Sequence, residues 1–294
     1  MAEAPQSNST FSRPTFFILT GIPELGVAQA WLTLVFGPMY LLSLLGNGAL
    51  LAVVEIDSTL HEPMFLLLAT LAATDLGLAT SIAPGLLAVL WLGPQPVPYV
   101  ACLVQMFFVH ALMAVESGVL LAMACDRAVA VGRPLHYPVL VTKAHVGYAA
   151  LALALKAVAV VPFPLLVARF GHFRAKTIDH AYCAHMAVVE LLRDNTRASN
   201  LYALALSLAV SAHAKAFGTW SSHICVILAF HVPGLFSYLT RLFGRHTVPK
   251  PMHILLSNNY LLLPSALNPL IYGACTKQIS DQLLETFAFR KSQF

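Results

Sequence analysis

The sequence predicts an all-α membrane protein, a bundle of helices that cross a bilayer, and three observations carry that expectation. Of its 294 residues, 58% are hydrophobic and only 10% charged, far below the roughly 25% charged residues of soluble domains. Apolar runs near 30–54, 65–92, 99–125, 146–167, 222–240 and 253–273 are each long enough for the ~30 Å hydrocarbon layer, which a helix of about 20 residues crosses. Prolines 84, 162, 164, 233, 264 and 269 interrupt these runs, a pattern that bilayer helices tolerate where neighbours satisfy the freed backbone groups.

The N-terminal stretch "MAEAPQSNSTFSRPTFF" has no basic region leading into an apolar core, so the first span rather than a cleaved leader is expected to insert the chain. Asn8-Ser9-Thr10 fits the glycosylation sequon and places Asn8 outside. The second span carries Asp75 and the third Glu116. Ionisable groups inside spans are costly and mark candidate sites; here either protons neutralise the two carboxyls or they hold a small cation between them. Asp126-Arg127 closes the third span, and an acid beside a base at a helix end is most often a solvated cap. The connector that follows, "DRAVAVGRPLHYPVLVTK", is basic and is expected on the cytoplasmic side, although the connectors from Arg169 to Arg197 and from Arg241 to Lys250 leave the overall positive-inside test undecided. Lys156, midway along the fourth span, either snorkels or pairs with an acid.

The run at 201–212, "LYALALSLAVSA", breaks the pattern. At ~1.5 Å per residue it reaches only ~18 Å before His213 and Lys215 intervene. Extending it backward would bury Glu190, Arg193, Asp194 and Arg197, each costing roughly 2.5–3.5 kcal/mol near the membrane centre. Extending it forward leaves no loop before the run that begins at Ser222.

Other functions are disfavoured by composition. A net charge of +4 without any Lys or Arg block argues against a nucleic-acid partner. Five cysteines with no CxxC pair carry no zinc or redox signature. "HEPMF" at 61–65 starts like the HExxH zinc motif, but Phe65 stands where the second His belongs, so no metal site is expected. The last span has no Lys for a retinal Schiff base. An ion-coupled transporter, resting on Asp75, Glu116 and Lys156, is the runner-up, although no inverted repeat is visible. A non-signalling membrane protein is the third reading.

Motifs along nearly the whole chain then converge: Gly46-Asn47, "HEPMF" at 61–65, "ATDL" at 73–76, "MACDRAVAVG" at 123–132, "KAFGTWSSH" at 215–223 and "LNPLIYG" at 267–273. In this order the chain resembles a rhodopsin-like G-protein-coupled receptor, and more narrowly an odorant receptor of the fish-like class I group. The resemblance implies one seven-helix receptor domain over 1–294, with an extracellular tail (1–29), a long extracellular loop (168–198) and a cytoplasmic tail (274–294). It implies a plasma-membrane receptor that binds a small, mostly apolar or acidic odorant and activates a heterotrimeric G protein.

By the same resemblance, Arg127 meets the G protein and Asp126 holds it at rest, a role suited to a group that stays charged and offers several donors. Asp75 and Glu116 match buried sodium-associated carboxylates, so Na+ is the one ion implied; Cys102 and Cys183 match an extracellular disulfide; Asn268 and Pro269 fall on the matching part of the last helix. His110, His185, Tyr238 and Arg241 are implied for ligand binding. In "YLTRLFG" the family's ligand-anchoring Arg position is occupied by Leu242, and Arg241 stands one residue earlier, about 100° round the helix, which disfavours carboxylate recognition. Cys125, Ala128, Gly132, Trp220 and His231 also depart from the family pattern. In the resembling receptors the fifth span continues into a basic loop before "KAFGT". Here roughly 25 residues, the inner half of a helix rising ~1.5 Å per residue and the third cytoplasmic loop, are missing, which predicts impaired folding and signalling.

Overall fold

The computed structural model describes residues 11–12, 14–57, 60–137, 143–159, 172–192 and 249–275, together with 279 and 281. Long helices α1 (Thr33–Ile56), α2 (Pro63–Leu92), α3 (Tyr99–Gly132), α4 (Lys143–Val158) and α6 (Lys250–Cys275) form the described part of the bundle, and α5 (His185–Val189) is a single short helical turn. Three stretches, Pro23–Ile56, Pro63–Leu92 and Tyr99–Gly132, are long and apolar enough to cross a membrane. Five of the six full-length runs meet described helix, whereas 160–167 of the fourth run, the short run at 201–212 and the run at 222–240 lie outside the described residues, as do Pro162, Pro164 and Pro233.

Local chemistry sets the helix ends. Pro63 starts α2, where its missing N–H is no loss and its fixed φ suits the first turn. Gly93 ends it with φ of 85°, its N–H donating to the Val89 carbonyl, a left-handed cap that a side chain would oppose. α3 runs to Gly132, so Asp126-Arg127 lies inside the helix, about two turns from its end, and not at the close of the span as the hydropathy implied. The apolar run fades at Asp126, but helical hydrogen bonding continues to Gly132.

Helix α1 packs on α2 and α6, and α3 packs on α2 and α4. Proline explains one of these seams. Pro269 has no N–H for the carbonyl of Ser265 four residues back, and the Asn47 side-chain amide of α1 donates to that carbonyl at 2.8 Å, as well as to the Ser43 carbonyl at 2.9 Å. Gly46 permits the approach: a Cβ there would lie 2.7 Å from Pro269 Cγ.

Part of the N-terminal segment 1–29 is built into small sheets. Strand β2 (Phe16–Leu19) lies between β3 (Gln95–Pro98), antiparallel, and β5 (Thr177–Ile178), parallel. A second pair joins β1 (Phe11–Ser12) to β4 (His172–Phe173). The fold is therefore helical through the bilayer with two small sheets at one end, where open strand edges can meet water. Phe17, Tyr99 and Phe173 cluster beneath them, Phe173 lying edge-on to the other two rings, with the Phe17 and Phe173 centroids 5.2 Å apart. Asn8 lies outside the described residues.

Gly46→Ala should destabilise the bundle by about 1–3 kcal/mol, the usual range for overpacking. Gly48→Ala, in open space on the same helix, should be neutral or slightly stabilising. Melting of the two detergent-solubilised variants separates them; equal melting temperatures would contradict the α1–α6 contact.

Candidate functional site

Polar groups gather at three levels of the bundle. At the inner end, Tyr137, just past the 3-10 turn Pro134–His136, donates its hydroxyl to Asp126 Oδ1 at 2.7 Å, while Arg127 Nε stands 3.6 Å from Asp126 Oδ2. The carboxylate is buried, whereas the Arg127 side chain is 40% exposed. An ion pair this long and this wet is weak, so the phenol is the firmer partner. Burial, and then the hydrogen bond to Asp126, push the Tyr137 hydroxyl up to about 12, which keeps it a donor at physiological pH.

At mid-bundle, Asp75 of α2 and Glu116 of α3 are fully buried and act on each other electrostatically. Asn268 of α6 donates to Asp75 Oδ2 at 2.9 Å. Neither Glu116 oxygen has a hydrogen-bond partner of good geometry among the described residues. Two buried carboxyls with such sparse donors need a proton or a small monovalent cation to balance them, and the oxygen-rich setting of Asp75, Glu116 and Asn268 fits either. Lys156 of α4 takes neither course the sequence left open: its ammonium donates to the Ser117 hydroxyl of α3 at 2.7 Å, and that hydroxyl donates to the Ala114 carbonyl at 2.9 Å.

At the sheet-bearing end, Cys102 of α3 and Cys183 form a disulfide that closes 81 residues of chain, their Cα atoms 5.4 Å apart. The bond marks this end as the one facing an oxidising compartment. It draws the loop from Ile178 to Val189 inward, so that Tyr182 packs against α2, α3 and α6. His185, the first residue of α5, then meets His110 of α3 edge to face, with ring centroids 5.7 Å apart. His110 Nδ1 donates to the Met106 carbonyl at 2.8 Å. Burial, and then the neighbouring His110, push His185 down to about 3, so this imidazole is neutral at physiological pH.

Four sequence-derived pairs are thus brought together: Cys102 with Cys183, His110 with His185, Asp75 with Glu116 and Asp126 with Arg127. Tyr238, Arg241, Cys225 and the Cys275 side chain lie outside the described residues, and Cys125 is a free, half-buried thiol. Sequence reasoning missed Tyr137, eleven residues past Asp126, and Gln105, one turn past Cys102. The first had a usable signal, an aromatic hydroxyl in a short basic loop; the second had none.

A helical bundle with apolar spans long enough to cross a membrane and a disulfide-pinned loop at one end defines a helical membrane protein. The olfactory receptor family model matches residues 36–211 and 205–290. Human olfactory receptor 52W1 is 76% identical over 318 aligned positions that cover 99% of each chain. Human olfactory receptors 52R1 and 52D1 are 42% and 40% identical, each covering 95% of this chain and 96% of the relative. The chain belongs to the olfactory receptor family and is a multi-pass membrane protein.

The depressed His185 gives a pH signature. Unfolded, the residue binds a proton near 6.5; folded, it does so only near 3. The unfolded chain therefore holds more protons in this window, and stability must fall as pH drops from about 6.5 toward about 3. Over that range the stability of His185→Asn should fall less steeply than that of the native chain in thermal melts; parallel curves would mean that His185 is not held neutral.

Proposed function

We propose that this chain is an odorant receptor whose ligand site lies beneath the disulfide-pinned loop, against His110 and His185. The observation that carries the reading is the meeting of these two imidazoles, from elements 75 residues apart in sequence, at the end of the bundle that faces the oxidising compartment. A His185 that is neutral at physiological pH suits an apolar odorant with one hydrogen-bonding oxygen better than a carboxylate. Tyr238 and Arg241 are assigned to the same pocket on the family resemblance alone.

At the inner end, Arg127 is the group that engages a heterotrimeric G protein. Asp126, held by Tyr137, restrains it at rest. Asp75 and Glu116 hold Na+ or share a proton. The receptor domain spans 1–294, its segments 1–29 and 168–198 are extracellular and 274–294 is cytoplasmic. Asn8 carries a glycan, and the plasma membrane is the working location.

Impaired signalling is favoured by a specific observation. The alignment with the 76% identical relative runs over 318 positions, 24 more than the 294 residues of this chain, and the family match splits into two pieces that share 205–211. Both facts support a deletion in the fifth span. Loss of its inner half would strip the G-protein cavity of one wall and leave backbone groups unsatisfied at membrane depth.

Two experiments test the reading. In lipid nanodiscs, 1-octanol should raise the melting temperature of the purified chain and octanoate should not; His185→Ala should weaken the octanol effect at least tenfold, about 1.4 kcal/mol. An octanoate effect that survives His185→Ala would sink the proposed site. Inserting the missing fifth-span segment of the 76% identical relative should raise surface display of an N-terminal tag and produce an odorant response. A full response from the chain as it stands would refute the impairment.

A further inference from the structure

Gln105 makes two hydrogen bonds that need a neutral side chain carrying both a donor and an acceptor. Its Nε2 donates to the Ser81 carbonyl of α2 at 2.7 Å, and its Oε1 accepts from the Cys183 backbone N–H at 3.0 Å. A carbonyl demands a donor and an N–H demands an acceptor, so the side chain has one workable orientation. An ionised carboxylate could serve only the N–H arm, and an ammonium or guanidinium only the carbonyl arm.

Both ends of this clamp are informative. Ser81 lies in the turn that Pro84 disturbs, because proline offers no N–H to the Thr80 carbonyl and its ring crowds the preceding turn. Cys183 is the residue already tied to Cys102, one helical turn before Gln105 on α3. A disulfide alone leaves its loop free to swivel about the Cβ–S bonds. A second attachment, to the main chain of the same residue, removes that swivel and fixes the direction in which the loop continues, through Ala184, to His185.

We propose that Gln105 is a positioning residue of the odorant site: it aims the His185-bearing loop at His110 and ties that loop to the proline-disturbed turn of α2. The inference rests on the assignment of His110 and His185 as odorant contacts. It adds that loop orientation, and with it ligand selectivity, is set by a residue that touches no ligand.

The test needs no ligand. The full chain in lipid nanodiscs is treated with diethyl pyrocarbonate, and carbethoxylation of each histidine is followed by mass spectrometry, with exposed His61 as the internal control. Gln105→Leu should raise the rate at His185 at least fivefold, with the Cys102–Cys183 bond still oxidised and His61 unchanged. Gln105→Glu should resemble Gln105→Leu at pH 7.5. At pH 5.5, where a protonated carboxyl can both donate to Ser81 and accept from Cys183, its rate relative to the native chain should return toward one. A rate at His185 unchanged in both variants would overturn the proposal, as would a rise shared equally by His61. If Gln105→Leu does not fold, the pH-reversal of Gln105→Glu decides alone: its absence refutes the clamp. Should the clamp hold while His185→Ala leaves octanol binding intact, the ligand assignment fails and the positioning of the loop stands.

Discussion

Inside a bilayer no water is present to satisfy a backbone group that its own helix has left unbonded, and the packing of this bundle follows from how that demand is met. Prolines within α1, α2 and α6 remove helical donors at several depths. At one of the resulting weak points a carboxamide arrives from a neighbouring helix, Asn47 at the Ser265 carbonyl, and Gln105 reaches the Ser81 carbonyl, one residue past the Thr80 carbonyl that Pro84 leaves without its donor. A proline that would merely weaken one helix becomes an attachment point for the next. Gly46 shows the steric side of the same arrangement, since Asn47 reaches α6 only because its neighbour has no side chain to meet Pro269.

Charge is handled by the same logic with different results at each level. Lys156 finds a neutral hydroxyl rather than an acid, while Asp75 receives one amide and Glu116 receives no well-aligned donor among the described residues. Such unevenness is costly in a low-dielectric interior. Near the inner end the demand relaxes, because Arg127 reaches solvent and its pairing with Asp126 is loose.

Much of the fold was legible in the sequence because membrane helices are written in composition and length. The boundaries of α1, α2 and α6 fall close to the apolar runs, and Pro63 and Gly93 mark the ends of α2 by their backbone preferences. The end of α3 was not legible, since hydropathy reports where lipid stops and says nothing about where helical hydrogen bonding stops. The outer sheets were also hidden. β2 is four residues long and pairs with segments about 80 and 160 residues away, and no local pattern encodes partners at that distance. The family motifs supplied the disulfide and the pairing of Asp126 with Arg127, while Tyr137 and Gln105 acquire meaning only once their partners are in place.

By itself the sequence determined that the chain lives in a membrane, which apolar stretches are long enough to cross it, where proline and glycine start, interrupt or end helices, and that the apolar run at 201–212 is short. These are properties of single segments, set by the transfer of side chains into hydrocarbon and by local backbone sterics. Only the tertiary structure decided that His110 faces His185, that Asn47 and Gln105 each serve a carbonyl on another helix, and that the N-terminal segment is a strand of the outer cap. Those are relations between segments far apart in the chain, fixed by the rotation and depth at which each helix packs, and a hydropathy pattern carries neither.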